Sequence, residues 1–549
     1  MRNKKIVIVL SGEIASGKSS ICEGLQNSFD FKVLGTKGAL QEIAKKQNNG
    51  KLPEERGFLQ AFGEKLDKET NGKWVLDYFQ TEINNNNRIL IDSARIISQV
   101  SFFREAYGDS VYHIYLDASE ASRREWFINR KKKEDNFSSV EEAKQKFEQY
   151  SQDATEKQVK SLKPKCDLVV HTEDSLNPMD HVVRIASFLR ILPRIHNKNV
   201  DVVIGGQFGS EGKGQIAGYL AKEYDCLIRV GGPNAGHKVY SEPKPDVFHI
   251  IPSGSNKNRD AIIVIGPGAV ISEEQILKEI SEFSIDTERM VIDENATIIT
   301  ENERAVEDLF DKIGSTKQGV GAATANNLFI NRLSANDDFK AKNCNSLKHY
   351  IGSAHETYEK MNLDNKKLLL EGTQGTFLSL HHGFYPHVTS RETSVGGCIS
   401  EAGIGINKVR KIVMVVRRYP IRVQSPANGS SGDFHSNEIS LEEVSRRSNY
   451  PLEEMKIIEK TTTTKKKRRI AEFNWGLFRR ACELNTPTDI AFTFSDYIDY
   501  ENQKARRYDQ LTQKTTKFIE ELERCAEVPV SLIATRFDYR AIIDKRNWI

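Results

Sequence analysis

Residues 202–237 read VVIGGQFGSEGKGQIAGYLAKEYDCLIRVGGPNAGH, and this stretch decides the fold of the larger part of the chain. An apolar, β-branched run leads into a glycine-rich loop, and a helix-forming segment follows. This order predicts a strand, a loop and a helix whose N-terminus faces a phosphate group. Lys213 lies inside the loop and supplies a cation that can reach the phosphate. A second glycine-rich turn then ends at His237.

Composition narrows the class of protein. A chain of 549 residues exceeds one ordinary core, so two or more domains are expected. The 79 Lys and Arg against 76 Asp and Glu leave a formal charge of +3, which makes no case for a nucleic-acid or membrane partner. The seven cysteines form no CxxC pair, and no apolar run approaches the roughly 20 residues that span a bilayer. A cytoplasmic protein with reduced thiols is expected.

The N-terminal region carries a different phosphate motif. Residues 12–19 read GEIASGKS and match the P-loop pattern G-x-x-x-x-G-K-[ST] through Gly12, Gly17, Lys18 and Ser19. The glycines let backbone amides curl around phosphates, Lys18 reaches the outer phosphates, and Ser19 can ligate Mg²⁺. An apolar strand before the motif and a helical pattern after it supply the required context.

Further strands are predicted at residues 88–92, 111–117 and 167–171, alternating with helical patterns. Such alternation predicts a doubly wound parallel sheet. Asp92 at a strand end is placed either to orient a metal or water or to cap a helix. The basic run 123–133 suits either the lid of a small-molecule kinase or a solvated helix face.

Together the first ~170 residues resemble the small P-loop kinases of the nucleotide and dephospho-coenzyme A type. A nucleotide-sensing role without phosphotransfer stays open. The predicted division of the chain is a kinase-like domain at 1–175, a linker at 176–197 that contains Asn-Pro and polar residues, and a second domain at 198–549. The two phosphate motifs differ, so a fusion is expected and a duplication is not.

The second domain resembles adenylosuccinate synthetase, the ligase that joins aspartate to the 6-position of a purine nucleotide. The motifs that carry this resemblance occur in order along the chain: GGQFGSEGKGQ at 205–215, NAGH at 234–237, IPSG at 251–254, EGTQGT at 371–376, YPHVTS at 385–390 and TTTTKKKRR at 461–469. The expected fold class is therefore α/β, with an N-terminal P-loop kinase-like doubly wound sheet and a C-terminal adenylosuccinate synthetase-like domain.

The resemblance implies a reaction in two steps. The γ-phosphoryl group of a nucleoside triphosphate moves to the purine 6-oxygen, and the aspartate amine then displaces phosphate. The first step needs cations to spread developing charge, which is a task for Lys213, the loop amides and Mg²⁺. His237 matches the histidine that acts as general acid in the family. The ordinary pKa of a histidine side chain lies near neutral pH, which suits that task. Ser210 and Gly236 are the expected metal ligands in this domain.

The same resemblance assigns the remaining binding residues. The expected nucleotide-binding set is Gly209, Glu211, Gly212, Gly214, Asn234, Gln374, Thr389 and Asp496. The expected aspartate-binding set is Thr463, Thr464, Lys467 and Arg469, since a basic loop can clamp two carboxylates. Taken alone, that lysine-arginine run would more often be a solvated face or a nucleic-acid patch.

The sequence departs from the family at the residue before Glu-Gly-Lys-Gly. The family has an aspartate that takes the proton from N1 of the purine, whereas this chain has Ser210. A neutral hydroxyl is a poor base near pH 7, which puts ordinary conversion of IMP in doubt. The same replacement occurs in relatives that accept dGMP in some phages. A guanine-type or deoxy acceptor is therefore suggested alongside IMP or dIMP.

A second departure concerns the energy donor. Family members that use GTP read guanine with a Lys-x-Asp pair, and this chain has Phe494 and Asp496 in the matching places. Loss of the lysine predicts weaker selectivity for guanine in the donor. A site rejects the wrong base mainly when that base leaves buried polar groups of the protein unpaired. ATP and dATP are plausible donors beside GTP.

The leading hypothesis is a fused enzyme that ligates L-aspartate to a purine (deoxy)nucleoside monophosphate and carries a nucleotide-binding or kinase domain at its N-terminus. The alternative is a nucleotide-sensing effector whose ligase fold binds purines without converting them. An antiviral role is one form of this alternative. The family is dimeric and borrows an arginine from the neighbouring subunit, so a homodimer is expected. Arg332 lies near the position that this arginine has in the family, but an alignment to the family without gaps puts Ile330 at that position.

Overall fold

The computed structural model describes residues 5–47, 56–133, 139–152, 154–192, 197–308, 312–459 and 467–546. The chain splits into two compact units, Met1–Leu192 and Pro193–Ile549. Within the described ranges, helices are too short or too polar to cross a membrane.

The N-terminal unit is built on a five-stranded parallel sheet with the strand order β2-β3-β1-β4-β5. Its elements are β1 (Ile6–Ser11), α1 (Lys18–Phe29), β2 (Lys32–Leu34), α2 (Thr36–Gln47), α3 (Arg56–Thr70), α4 (Trp74–Asn85), β3 (Arg88–Ile91), α5 (Ile97–Tyr107), β4 (Val111–Asp117), α6 (Glu120–Lys133), α7 (Val140–Ser151), α8 (Ala154–Lys160), β5 (Leu168–His171) and α9 (Pro178–Phe188).

The central strand β1 shows why this sheet is covered on both faces. Val7 and Val9 pack into one apolar cluster, while Ile6, Ile8 and Leu10 pack into another on the opposite side. Side chains of a strand alternate between faces, so a continuous apolar run needs helices on both. The predicted doubly wound parallel sheet is confirmed.

The structure differs from the predicted linker at 176–197. Pro178–Phe188 is a helix whose Val182 and Ile185 are buried in the core of the N-terminal unit. The Asn177 side chain accepts a hydrogen bond from the Met179 amide at 3.0 Å. Asn-Pro therefore begins a helix here, as an N-cap followed by proline at the first helical position, and does not mark a loop. The predicted linker begins too early.

The C-terminal unit contains a ten-stranded sheet with the order β14-β12-β10-β7-β15-β6-β16-β20-β21-β22. Its pairs are parallel except the last, β21 with β22. The elements up to β15 are β6 (Val200–Gly205), α10 (Lys213–Leu220), β7 (Cys226–Arg229), β8 (His237–Val239), β9 (Asp246–Phe248), β10 (Ile262–Ile265), β11 (Val270–Ile271), α11 (Glu273–Glu282), β12 (Met290–Asp293), β13 (Thr297–Ile298), α12 (Glu301–Asp308), α13 (Val320–Leu328), α14 (Ile330–Leu333), β14 (Ile351–Gly352), α15 (Ala354–Leu363) and β15 (Leu368–Glu371). The remaining elements are α16 (Val395–Ala402), β16 (Val409–Arg417), β17 (Ile421–Val423), β18 (Glu438–Ile439), α17 (Leu441–Ser448), α18 (Leu452–Ile458), β19 (Arg468–Ala471), α19 (Trp475–Asn485), β20 (Asp489–Thr493), α20 (Gln513–Ala526), β21 (Val530–Ala534) and β22 (Ile542–Asp544).

The carboxyl edge of this sheet gathers the residues of interest. In the register of the parallel strands, Glu371 at the end of β15 lies beside Arg229 at the end of β7. On the other side of β15, β6 runs into the glycine-rich loop, and Arg417 ends the next strand, β16. Ligands of open parallel sheets bind at this edge, beyond the strand ends. The predicted α/β domain is confirmed.

Candidate active site

The glycine-rich loop after β6 turns through left-handed backbone conformations. The φ angles are 89° at Gly209, 55° at Ser210 and 92° at Gly212, where helix α10 begins. Glycine adopts such angles at no steric cost, which explains two of the three positions. The Ser210 side chain is exposed at the tip of the loop. Helix α10 begins directly after these turns, and a helix N-terminus at a glycine loop favours a bound phosphate.

A buried ion pair braces the loop from inside. The Glu211 carboxylate accepts hydrogen bonds from the amides of Gln207 at 3.1 Å and Gly209 at 2.8 Å. The Lys213 ammonium donates to the other carboxylate oxygen at 2.6 Å, and both side chains are buried. The structure therefore uses Glu211, a predicted nucleotide ligand, to fix the loop and to hold Lys213.

A second buried cluster centres on His237 and Glu371. One Glu371 oxygen lies 2.6 Å from Nδ1 of His237, and Arg229 donates to the other at 3.1 Å. Ser253 donates to the same carboxylate through its amide at 2.8 Å and its hydroxyl at 2.6 Å. Arg229 also donates to the Ala235 carbonyl at 3.0 Å. Glu371 is thus a positioning group that fixes the histidine ring.

The cluster sets the protonation of both partners. Burial and the Arg229 guanidinium lower the pKa of His237 to about 4, against the opposing pull of Glu371. Burial raises the pKa of Glu371, but Arg229 and His237 outweigh it and hold that pKa at about 2. The resulting state near pH 7 is a neutral ring that donates Nδ1–H to a carboxylate. Nε2 is then the nitrogen available to a ligand.

The histidine and the loop approach each other closely. A Cβ on Gly214, in the first turn of α10, would lie 2.8 Å from the Cβ of His237. A Cβ on Gly375 would lie 2.4 Å from the Gly209 amide nitrogen. Only glycine allows either contact, so these two glycines bring the loop, His237 and the turn after β15 into one site.

Two amide side chains complete the rim. The Oδ1 atom of Asn234 and the Oε1 atom of Gln374 are buried without a hydrogen-bond partner in the described structure. Buried polar atoms are nearly always paired, so these two fit a ligand that donates to them. Thr389 is half-buried and its amide donates to the Leu378 carbonyl at 2.8 Å. Gly236 is half-buried and directly precedes His237.

A third cluster lies behind the loop at the ends of β16 and β20. The fully buried Arg417 donates to Glu459 at 2.6 Å and to the Ser210 carbonyl at 3.3 Å. Its guanidinium lies 3.9 Å from the centre of the Phe494 ring. Asp496 follows in a tight turn and is buried. The Arg417 guanidinium therefore supports the loop through the Ser210 carbonyl, and the Phe494 ring covers this guanidinium.

The structure describes only two of the four residues predicted to bind aspartate, Lys467 and Arg469. Thr463 and Thr464 lie outside the described residues. Lys467 is exposed, and Arg469 in β19 donates to Glu438, to the Ser431 hydroxyl at 2.9 Å and to the Gly432 carbonyl at 2.7 Å. Arg469 is thus committed to protein groups in this structure.

The N-terminal loop has its own geometry. Gly17 has φ 91° and precedes α1, and the Lys18 ammonium donates to the carbonyls of Gly12 and Glu13. Burial lowers the pKa of Lys18 to about 8. Ser19 is exposed in the first turn of the helix.

Two open alternatives from this region are clarified. Asp92 accepts from the amide and hydroxyl of Thr36, at 2.9 and 2.8 Å, so it caps α2 and not the segment after its own strand. Arg123 is buried and donates to the Glu13 carboxylate in the phosphate loop at 3.0 Å. A solvated helix face is therefore wrong for Arg123, and the lid interpretation stays a prediction.

Sequence reasoning missed several members of the site: Arg229, Ser253, Arg417 and Glu459. Arg229 and Arg417 each end an apolar strand, and a charged residue in that place was the available signal. Glu371 and Ser253 stood within quoted motifs without an assigned role. Groups of three or more metal-binding side chains are absent from the described ranges.

Comparison with known proteins identifies the family of the C-terminal unit. The sequence model of the adenylosuccinate synthetase family matches residues 202–342 and 334–503. The adenylosuccinate synthetase of Methanocaldococcus jannaschii is 35% identical over 356 residues, which cover 63% of this chain and 96% of that protein. That of Thermococcus onnurineus is 33% identical over 358 residues, covering 63% and 98%.

Solved structures share the fold. The fully ligated adenylosuccinate synthetase from Plasmodium falciparum superposes with a TM-score of 0.55 at 22% identity, over 63% of this chain and all of that chain. The succinoaminodeoxyadenylate synthetase of cyanophage S-2L superposes with a TM-score of 0.51 at 24% identity, over 63% and 95%. The chain belongs to the adenylosuccinate synthetase family, and it is a ligase.

Proposed function

We propose that the C-terminal unit ligates L-aspartate to the 6-position of a purine (deoxy)nucleoside monophosphate, driven by a nucleoside triphosphate through a 6-phosphoryl intermediate. The observation that carries this proposal is the contact between the phosphate loop and the His237–Glu371–Arg229 cluster. It places a fixed imidazole beside a loop suited to phosphate, as phosphoryl transfer to a purine oxygen requires.

His237 acts on the transferring group through Nε2. The ring is neutral before a ligand binds, because its pKa is lowered to about 4. Negative charge on a neighbouring phosphoryl group favours the protonated ring, and Nε2–H then donates to that group. Glu371 holds the tautomer and orientation throughout, while Arg229 keeps the carboxylate ionised.

The acceptor we favour is a guanine-type monophosphate. Ser210 stands at the loop tip, exposed and neutral, where a base for N1 of IMP would be needed. The cyanophage S-2L enzyme, which shares the fold, is bound to dGMP in its solved structure. Asn234 and Gln374 supply buried acceptors that suit amino and ring N–H groups.

Mg²⁺ fits the oxygen donors near the loop. The exposed Ser210 hydroxyl and the Gly236 carbonyl are the protein groups that would hold it, and Ser19 is its counterpart in the N-terminal unit. Two protein oxygens suffice, because Mg²⁺ keeps several waters and takes the rest of its ligands from substrate phosphates. The ion supplies positive charge to the phosphoryl group when bound.

The aspartate substrate is assigned to the basic segment at 461–469. Of this segment, Lys467 is exposed and carries a charge suited to a carboxylate. Arg469 can join only by giving up its contacts with Glu438 and Ser431. Thr463 and Thr464 remain sequence-based assignments.

Self-association as a homodimer is supported by an apolar surface at the end of α13 and in α14. Leu328, Phe329, Ile330 and Leu333 are consecutive or nearly so, and each is between 57% and 72% exposed. An exposed patch of this kind marks a protein–protein contact more often than it marks ordinary surface. Arg332 lies within the same patch, next to Leu333.

For the N-terminal unit we propose nucleotide binding with phosphoryl transfer. Its support is the glycine turn before α1, with Lys18 at the turn and Arg123 reaching Glu13 in the same loop. The ligand class is a nucleoside triphosphate, which also serves the ligase.

One experiment tests the ligase proposal. The full chain is incubated with aspartate, Mg²⁺ and a mixture of ATP and GTP, and IMP, dIMP, GMP and dGMP are offered one at a time. Succinylated products are then sought by mass spectrometry. Product from dGMP or GMP supports the acceptor argument, product from IMP alone contradicts it, and no product from any acceptor favours the binding-only alternative.

A further inference from the structure

A buried guanidinium lies between three segments to which the acceptor nucleotide is assigned. Arg391 is 5% exposed, and its Nη1 atom donates to the Thr373 hydroxyl at 2.7 Å. Its Nε atom donates to Glu401 at 2.9 Å, and Nη2 donates to the second oxygen of the same carboxylate. The planar fork of an arginine fixes these directions together, so Thr373 is held in place relative to helix α16, which carries Glu401.

The first of these segments is the turn after β15. Thr373 is 2% exposed and directly precedes Gln374, whose Oε1 atom is buried without a partner in the described structure. Thr393, two residues after Arg391, donates to the Gly375 carbonyl at 2.7 Å. Gln374 is thus held on both sides by contacts from one short stretch of chain.

The second segment is the turn after β7, which leads to Asn234. Gly231 in this turn has φ 106°, and a Cβ there would lie 2.4 Å from Nη1 of Arg391 and 2.4 Å from the Thr373 hydroxyl oxygen. The backbone of the turn therefore rests directly against the Arg391–Thr373 hydrogen bond. Asn234 follows three residues later, and its Oδ1 atom is also buried without a partner among the described residues.

The third segment contains Thr389. The Thr389 amide donates to the Leu378 carbonyl at 2.8 Å, and the Leu380 amide donates to the Arg391 carbonyl at 3.0 Å. These two hydrogen bonds fix Thr389 and Arg391 against the same stretch of chain. The Arg391 residue therefore connects all three segments.

The depth of this ion pair makes stability alone a poor explanation for it. Taking two charges out of water costs free energy that their attraction often does not offset, and well-packed apolar residues of similar size can replace such a pair without loss of stability. The Arg391 side chain is 3% exposed and that of Glu401 is 19% exposed. A charged pair at this depth, in contact with the turns of both unpaired amide oxygens, fits a role in geometry.

We propose that Arg391 is a positioning residue for the acceptor nucleotide. It aims the amide oxygens of Asn234 and Gln374 at the purine (deoxy)nucleoside monophosphate through the two turns that it holds. This inference rests on the proposed function of the C-terminal unit.

The donor side of the site is held by different groups. Glu211 accepts from the Gly209 amide and fixes the phosphate loop, while Glu371 fixes His237. Loss of the Arg391 fork should therefore weaken binding of the acceptor and leave binding of the nucleoside triphosphate unchanged.

The test measures kcat and the KM of each nucleotide for Arg391→Lys and Glu401→Gln. Lysine keeps the charge but loses the fixed fork, and glutamine removes the charge that holds the fork. Each variant should raise the KM of the acceptor about tenfold or more, which is the value of one hydrogen bond to a charged group. The KM of the triphosphate and kcat at saturating acceptor should stay close to wild type. Glu401→Gln decides the question if Arg391→Lys fails to fold.

The matched control is Arg410→Lys. Arg410 makes the same two-pronged contact with a buried carboxylate, that of Asp201, at 2.8 and 2.6 Å, but near the amino ends of β6 and β16. It should leave both KM values unchanged. An unchanged acceptor KM, equal rises of both KM values, or a fall in kcat alone overturns the inference while ligation itself continues.

If the chain ligates none of the acceptors, the proposed function fails, and binding decides the inference. Titration calorimetry then measures the Kd of dGMP, GMP, IMP and dIMP for the full chain and for its Arg391→Lys and Glu401→Gln variants. A Kd that rises about tenfold or more in the variants supports the inference. An unchanged Kd, or no binding of any of the four by the wild type, contradicts it.

Discussion

Replacing Glu371 by glutamine tests the architecture of the site most directly. Four donors surround this carboxylate: Nδ1 of His237, Nη1 of Arg229, and the amide and hydroxyl of Ser253. Glutamine keeps the shape but offers one oxygen and one NH₂ group. In one orientation the new NH₂ group faces N–H groups of Arg229 and Ser253, and in the other it faces Nδ1–H of His237. Either way, the Arg229 charge is left buried without a counter-ion.

The expected loss has two parts. Breaking a buried ion pair by removing one partner costs about 3–5 kcal/mol, so the C-terminal unit should lose stability of that order. The His237 ring also loses the acceptor that fixes its tautomer. Because a positioned acid or base contributes about 10²–10⁴-fold to a rate, kcat of ligation should fall by at least about 10².

Both parts can be measured on the same protein. Hydrogen-exchange mass spectrometry of β15 peptides gives the local free energy of opening, and a coupled ligation assay gives kcat across pH 5.5–9. Ser253→Ala is the matched control, since it removes one hydroxyl donor without touching the charges. It should cost about 1–2 kcal/mol and reduce kcat much less.

The reasoning is refuted if Glu371→Gln keeps wild-type kcat and the wild-type pH profile. It is also refuted if Ser253→Ala and Glu371→Gln impair ligation equally, because loss of packing alone would then explain both.

Four further predictions follow from individual residues. Lys18→Ala should abolish phosphoryl transfer by the N-terminal unit and spare ligation, as separate assays of each product would show. Ser210→Asp should raise ligation of IMP relative to dGMP, since aspartate tolerates the φ of 55° found here; an unchanged ratio would contradict the role given to this position. Leu333→Asp should shift sedimentation toward monomer, and a wild-type monomer would exclude the proposed surface. Because the folded-state pKa of His237, about 4, lies below its ordinary 6.5, the unfolded chain binds the proton first, and stability should fall by about 3 kcal/mol as pH drops from 6.5 to 4. Amide exchange around His237 measures this slope, which should become much smaller above pH 5 in His237→Gln.

The parts of the fold that sequence predicted are those fixed by local pattern. The glycine loops, the apolar strands and the parallel order follow from residues close together in the chain. Lys32–Leu34 was missed because three residues give no periodicity. The amphipathic pattern of 181–192 was recognised, but the start of the helix Pro178–Phe188 was assigned to a loop because Asn-Pro suits both a loop and a helix start. The ligase site was predicted from motifs at strand ends, which parallel pairing brings to one edge.

What could not be predicted is which charged groups meet each other. Arg229 and Glu371 are 142 residues apart, and their contact depends on the register of β7 against β15. The pairing of Asp496 with Gln503 depends on a short turn in a polar segment without any recognisable motif. Side-chain partners decide pKa values, so chemistry of this kind becomes visible only with three-dimensional structure.

The two phosphate loops share their backbone geometry but differ in the partners of their lysines. Gly17 and Gly212 have φ 91° and 92°, and each places a lysine at the start of a helix. Lys18 donates to backbone carbonyls, and burial depresses its pKa, so a bound phosphate would restore the charge that burial opposes. Lys213 is already paired with Glu211, so a phosphate must share it with a carboxylate. Nucleotide binding to the N-terminal unit should therefore be accompanied by uptake of a proton near pH 8.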